Sequence, residues 1–368
     1  MTQSHVALIS TGLTVGGAET VVINLADELV RRGLRVSIIV ITGDPELRPV
    51  EATVEVHCLH MMKTPWGVLR GFLDLCKALR HIKPDVVHAH MFHANLLARL
   101  VRMVVPLPRL VCTAHSTNEG GLLHMLAYRL THSLADVTTN VSKEAVAKFE
   151  ALGAAPRGSM IPVYNSIDTE KFKPDLSSRE LVRKNLDITD ETIVLLAVGR
   201  LVKAKDYPNL INAFSMAKNS LQNIHLWIVG SGVLLKDIES MIKQQDLIDH
   251  IDLLGLRRDT AQLMNAADIF IQGSAWEGFG LSIAEAMACG LPVIATDAGG
   301  VSEVMGKHGI LVPIKNPHKL ALKIVEEISS GEFRSKSNKL KARNHITQRF
   351  DKNVITKEWL SIYFPDNS

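Results

Sequence analysis

Apolar positions along this chain fall into two alternating rhythms. Short continuous runs, 6-VALIS-10, 35-RVSIIVIT-42, 85-DVVHAH-90, 109-RLVCTAH-115 and 136-DVTTNVS-142, have the length and β-branched content of buried strands. Between the first two, 18-AETVVINLADELVRRG-33 sets Val22, Leu25, Ala26 and Leu29 at helical spacing and closes on Gly33, a helix stop. Strand, loop, helix and strand make a βαβ unit, so a parallel sheet is predicted. The rhythm breaks at 165-NSIDTEKFKPDLSSRE-180, which reads as a linker between domains. It then resumes with 193-IVLLAVGR-200, 224-IHLWIVGSG-232, 250-HIDLLG-255, 268-DIFIQGS-274 and 292-PVIAT-296. The fold class is therefore α/β: two doubly wound, Rossmann-like parallel-sheet domains facing a cleft. Ligands of such sheets bind at the carboxyl ends of the strands, so motifs just after strands hold the candidate chemistry.

A length of 368 residues suits two cores better than one. A net charge of +3 makes no case for nucleic acid. Cys58, Cys76, Cys112 and Cys289 are scattered with no CxxC pair, which favours reduced thiols in the cytoplasm over a disulfide framework or a zinc site. The first residues, MTQSHVALIS, lack the basic start and long apolar run of a signal peptide. The most apolar long stretch, 95-NLLARLVRMVVPLPRLV-111, is broken by arginines and prolines, so no spanning helix is predicted.

Three motifs follow strands. In 12-GLTVGGAE-19, glycines before a helix start suit a phosphate, or simply a tight turn; the spacing is not GxGxxG. In 199-GRLVKAKD-206, Arg200 and Lys205 are either a diphosphate clamp or a solvated pair. In 274-SAWEGFGLSIAE-285 a helix is predicted over about 281–289. Ser282 and Glu285 have the spacing of a capping box, the structural alternative to a ligand role for Glu285. Glu277 has no helix to cap, and a carboxylate at a strand end is a candidate for hydroxyl recognition or acid/base work. Gly278 and Gly280 would expose N–H groups around Phe279. His115 ends a strand and is either structural or functional. His88, His90 and His93 show no metal-ligand spacing and line the cleft at most.

Glu277 and Glu285 form E-x7-E. Together with 16-GGAE-19, 199-GRLVKAKD-206, 230-GSG-232 and 253-LLGLRRD-259, in that order over nearly the whole chain, the sequence resembles the retaining GT-B glycosyltransferases of family 4. The resemblance implies an N-terminal acceptor-side domain over 1–168 and a nucleotide-sugar domain over 169–348. A last helix over 349–368 would cross back to the first domain and couple the two through Trp359.

It further implies a UDP- or GDP-sugar donor, with UDP the expectation, no cofactor and no metal, consistent with the absence of a D-x-D triplet. Arg200 and Lys205 would hold the diphosphate, Glu285 the ribose hydroxyls and Glu277 the sugar hydroxyls. The backbone of Gly278, Phe279, Gly280 and Leu281 would approach sugar and phosphates. Arg257 would lie by the base through its backbone, Gly16 and Gly17 by the β-phosphate, His115 by the donor sugar and Glu19 toward the acceptor.

The acceptor implied is lipid-linked or a glycan, as in assembly of bacterial surface polysaccharide. Residues 61–109 hold eight Lys/Arg against two Asp. Within 65–83, Leu69, Phe72, Leu73, Cys76 and Leu79 form one predicted apolar face. The segment 95–110 adds apolar surface with arginines. Peripheral contact with an anionic membrane on its cytoplasmic face is therefore expected. A nucleotide-sugar epimerase on the same fold and a catalytically silent nucleotide-sugar binder are the alternatives.

Overall fold

The computed structural model describes residues 3–117 and 119–365. The chain forms two compact units, Met1–Ser166 together with Lys352–Ser368, and Ile167–Asp351.

The first unit holds strands β1 (His5–Ser10), β2 (Arg35–Val40), β3 (Glu55–Cys58), β4 (Val86–His90), β5 (Arg109–Ala114), β6 (Val137–Asn140) and β7 (Met160–Pro162). They form one parallel sheet in the order β3-β2-β1-β4-β5-β6-β7. Its helices are α1 (Gly17–Arg31), α2 (Pro65–Ile82), α3 (Phe92–Val101), α4 (Leu122–Thr131) and α5 (Lys143–Ala151). Every residue of β1 is buried because both sheet faces are covered. Val6 and Leu8 pack with Val22, Leu25 and Leu29 of α1 on one face; Ala7 and Ile9 pack with Leu75 and Leu79 of α2 on the other.

The second unit holds β8 (Ile193–Val198), β9 (Ile224–Val229), β10 (Ile251–Gly255), β11 (Ile269–Gln272), β12 (Val293–Thr296) and β13 (Ile310–Val312), all parallel, in the order β10-β9-β8-β11-β12-β13. Its helices are α6 (Leu176–Asn185), α7 (Tyr207–Lys218), α8 (Leu235–Gln244), α9 (Thr260–Ala266), α10 (Leu281–Ala288), α11 (Val301–Met305), α12 (Pro317–Ser330) and α13 (Lys336–Arg349). In each sheet the order reverses once, between β1 and β4 and between β8 and β11. Strand connections there leave to opposite sides and open a crevice at the carboxyl ends.

The final helix, α14 (Lys352–Tyr363), belongs to the first unit. Its Ile355, Trp359 and Tyr363, one helical turn apart, join the cluster built on β1 and α1.

Three readings change. The stretch 165–180 is not linker throughout: Asp175 caps α6, accepting from Ser177 N at 3.0 Å, and α6 starts at Leu176. The helix looked polar because part of what it buries is Arg183, paired with Asp268 at 3.3 Å and donating to the carbonyls of Thr189 and Thr192. The apolar face predicted for 65–83 is also displaced. α2 buries Gly67, Gly71, Leu75, Cys76 and Leu79, and leaves Leu69 and Leu73 about half exposed, at 48% and 49%. Gly71 carries no hydrophobic signal, yet it lets α2 approach closely; a Cβ there would stand 2.5 Å from Met61 Cγ. Finally, the arginines of 95–110 turn inward. Arg99 is fully buried, Arg102 pairs with Asp136 at 2.6 Å, and Arg109 donates to the Ile362 carbonyl at 2.9 Å.

Among the described residues, no helix is long and apolar enough to cross a membrane. All four cysteines are free thiols.

Candidate active site

In the second unit, the loops after β8 and β11 flank the point where strand order reverses, and these two loops carry Arg200, Lys205 and Glu277. They are tied together by backbone: Ala275 N donates to Ala204 O at 2.9 Å, and Asn209 Nδ2 to Gly273 O at 3.2 Å. Glu277 is the focus. Its Oε1 accepts from Lys205 Nζ at 2.5 Å, Ser274 Oγ at 2.8 Å and Gln272 Nε2 at 3.0 Å. Both charged side chains of this pair are mostly buried. With all three donors on one oxygen, the carboxylate is fixed in rotation and Oε2 remains the oxygen for another partner.

Gln272 and Ser274 were not among the sequence candidates. Gln272 is the last residue of β11 and is buried; its Oε1 accepts from Ser282 Oγ at 3.2 Å. A buried amide ending an apolar strand was the available signal, since such a group needs partners.

Ser282 is thereby spoken for, and the capping box does not form. The residue preceding α10 is Gly280, at φ +93, and no side chain caps the helix. That left-handed backbone is what glycine permits. Ser282 and Glu285 both lie inside the helix. Phe279 turns its ring inward, edge-on to Phe350 at 5.4 Å. Glu285 retains some exposure, but burial pushes its carboxyl up to about 7, against the opposing pull of Lys171 and Lys205.

Arg200, at the end of β8, is exposed and in no ion pair among the described residues, whereas Lys205 is engaged by Glu277. The glycines of 230-GSG-232 seat the loop after β9 on the same β8 loop: Gly230 is at φ +146, and a Cβ there would lie 2.0 Å from Gly199 O. Arg257 follows β10, its guanidinium forked onto Asp259 at 2.8 and 2.5 Å, so only its backbone stays uncommitted.

In the first unit, Gly16 is the N-cap of α1 and Gly17 its first residue. Glu19 folds over that end: a Cβ on Gly16 would meet Glu19 Oε2 at 2.4 Å, and Thr14 Oγ1 lies 3.5 Å from Glu19 Oε1. The positive end of the helix dipole thus already holds a carboxylate of this chain.

His115, just past β5, meets His90 (Nε2 to Nδ1, 3.0 Å), and its backbone N donates to Glu119 Oε1 at 2.7 Å. Burial lowers the His115 ring to about 4, so it is neutral. His88 and His90 do not line a cleft as expected. Both are fully enclosed, and His88 is satisfied by Tyr363 Oη and Thr113 Oγ1, each at 2.6 Å; His93 alone is exposed.

Comparison with known proteins adds to this geometry. "Glycosyl transferases group 1" matches residues 178–344 and "Glycosyltransferase Family 4" matches residues 15–171. The N-acetyl-alpha-D-glucosaminyl L-malate synthase of Bacillus anthracis is 25% identical, with 95% of this chain and 94% of the relative covered. From Campylobacter jejuni, the N-acetylgalactosamine-N,N'-diacetylbacillosaminyl-diphospho-undecaprenol 4-alpha-N-acetylgalactosaminyltransferase is 27% identical, covering 94% and 95%. Among solved structures, Anabaena HepE in complex with UDP-glucose superimposes with a TM-score of 0.83 at 22% identity, covering 97% and 98%. Two parallel-sheet units with this strand order, and matches to both halves in sequence order, lead to one conclusion: the chain is a glycosyltransferase of the GT-B fold and belongs to family 4, the group 1 glycosyl transferases.

Proposed function

We propose that the protein moves a sugar from a UDP-sugar to a lipid-linked or glycan acceptor, with retention of anomeric configuration and without a metal, in assembly of a bacterial surface glycan. The observation that supports this best is the Lys205–Glu277 pair beside exposed Arg200 at the strand reversal of the second unit. A diphosphate there meets two cations in a site partly shielded from water, where charge on a departing nucleotide is offset most strongly. Arg200 offers a planar fork and Lys205 a point charge. These cations carry the task a metal performs in other transferases, which is why metal independence is part of the proposal.

In this reading Glu277 holds donor-sugar hydroxyls through Oε2 while Oε1 stays with Lys205. Glu285 receives the ribose hydroxyls, most strongly when ionised. The backbone of Gly278, Phe279, Gly280 and Leu281 approaches sugar and phosphates, Arg257 meets the base through its backbone, and Gly16 and Gly17 meet the β-phosphate. His115 faces the donor sugar and Glu19 the acceptor. The bond from the anomeric carbon to the phosphate oxygen breaks and a bond to the acceptor oxygen forms on the same face. The acceptor's proton passes to the leaving phosphate. No cofactor is required.

The lipid-linked acceptor class is supported by the diphospho-undecaprenol acceptor of the Campylobacter relative, and UDP by the UDP-glucose bound to HepE. Contact with a membrane on its cytoplasmic face is supported by α2. Trp66 is 81% exposed and stands with exposed Leu69 and Leu73, beside exposed Lys63, Arg70, Lys77, Arg80 and Lys83.

A screen of nucleotide sugars for thermal stabilisation, with and without EDTA, tests the donor assignment. UDP and one or more UDP-sugars should raise the melting temperature equally in both buffers. Stabilisation by GDP but not UDP, or only with added divalent metal, contradicts it.

A further inference from the structure

The interior of the first unit contains a histidine contact that the proposed site does not explain. His90 and His115 face each other, Nδ1 to Nε2, at 3.0 Å. Each ring's other nitrogen, His90 Nε2 and His115 Nδ1, is buried without a partner among the described residues. His90 is held in place: its ring lies against that of His88 with centroids 3.9 Å apart, and His88 is locked by Tyr363 and Thr113. Burial lowers all three rings, and neither His90 nor His115 has a carboxylate ring partner, so the pair is neutral.

A neutral pair has one proton between the facing nitrogens, and the choice decides what the outer nitrogens are. If His115 donated, His90 Nε2 would carry a hydrogen inside a wholly enclosed ring, where nothing could ever accept it. If His90 donates, its Nε2 is a bare lone pair and the unmatched N–H becomes Nδ1 of His115, a buried atom of a residue that, unlike His90, is partly exposed past the end of β5. An orphaned buried donor is costly, and the cost is lower where a ligand can relieve it.

We propose that His90 is a positioning residue, donating from Nδ1 to His115 Nε2 and so fixing His115 as the Nδ1–H tautomer that offers a hydrogen bond to a ligand oxygen. This rests on the reading of His115 as a donor-sugar contact. It adds the ring atom that makes the contact and the residue that selects it.

Nitrogen-15 NMR of histidine-labelled protein tests it, with the His115 signals identified by their loss in His115→Gln. In the wild type, His115 should be protonated at Nδ1. In His90→Phe it should move to the Nε2–H form, with kcat falling about tenfold or more and the donor KM little changed. His90→Asn, whose amide can donate from near the same place, should restore both the tautomer and most of the turnover. An Nε2–H signal in the wild type overturns the proposal, as does a His115 tautomer or a kcat unaltered by His90→Phe. The tautomer is read without turnover. A wild type that turns over no nucleotide sugar but shows the expected tautomers refutes the transferase reading and leaves the role of His90 standing.

Discussion

Glu285 and Glu277 are eight residues apart and meet opposite environments. Glu277 is fixed by three donors on a single oxygen, whereas Glu285 is pushed up to about 7 by burial. The folded state therefore holds the Glu285 proton longer than the unfolded chain does. No penalty exists below the ordinary carboxylate range; it grows as pH rises from about 4.5 and is complete above about 7. Relative to Glu285→Gln, the wild type should lose about 2–3 kcal/mol of stability over that interval, read from melts at pH 5 and pH 8. If ribose is held by the ionised group, UDP affinity should rise across the same window in the wild type and stay flat in the variant. Glu277 was legible in the sequence because nothing structural required a carboxylate before a glycine turn. Gln272 was less so: an amide ending an apolar strand signals a need for partners, but not that Glu277 is one of them. Ser282 misled for the opposite reason: its spacing to Glu285 is that of a capping box, but the turn at Gly280 starts the helix before it.

Among the elements, the strands that both sheets bury at their centres were readable as apolar runs. The unrecognised ones, β3, β7 and β13, are edge strands of three or four residues, covered less and therefore less apolar. α2 shows the limit of periodicity. Its core-facing stripe begins with Gly67 and Gly71, so the pattern of large apolar residues pointed to the wrong face. The consequence is testable, because Leu69 and Leu73 are half exposed and pack little core. Leu69→Glu with Leu73→Glu should leave the unfolding free energy within about 1 kcal/mol of wild type. It should also abolish sedimentation with vesicles of anionic lipid at low salt. Undiminished vesicle binding by the double variant would remove α2 from the membrane contact. No wild-type binding to such vesicles would remove the contact altogether.

At the scale of the whole molecule, the two sheets share one plan, a central strand followed by an order reversal. The sequence showed this because each half repeats strand, glycine loop and helix. The chain enters the second unit at Ile167 and leaves it at Asp351, so α14, the last helix in sequence, completes the core of the first. Trp359 is 4% exposed there, with its ring centroid 4.5 Å from that of His88. Trp359→Ala should cost about 3–5 kcal/mol in chemical unfolding; a change below 1 kcal/mol would mean α14 is dispensable to that core.

The transfer reaction itself is tested most directly by incubating the protein with UDP-sugars and a membrane lipid extract and measuring UDP release, wild type beside Glu277→Ala of verified fold. Release should depend on the extract in the wild type and fall to background in the variant. Near-wild-type release by Glu277→Ala, or isomerised sugar with no UDP released, would contradict glycosyl transfer centred on the Glu277–Lys205 pair.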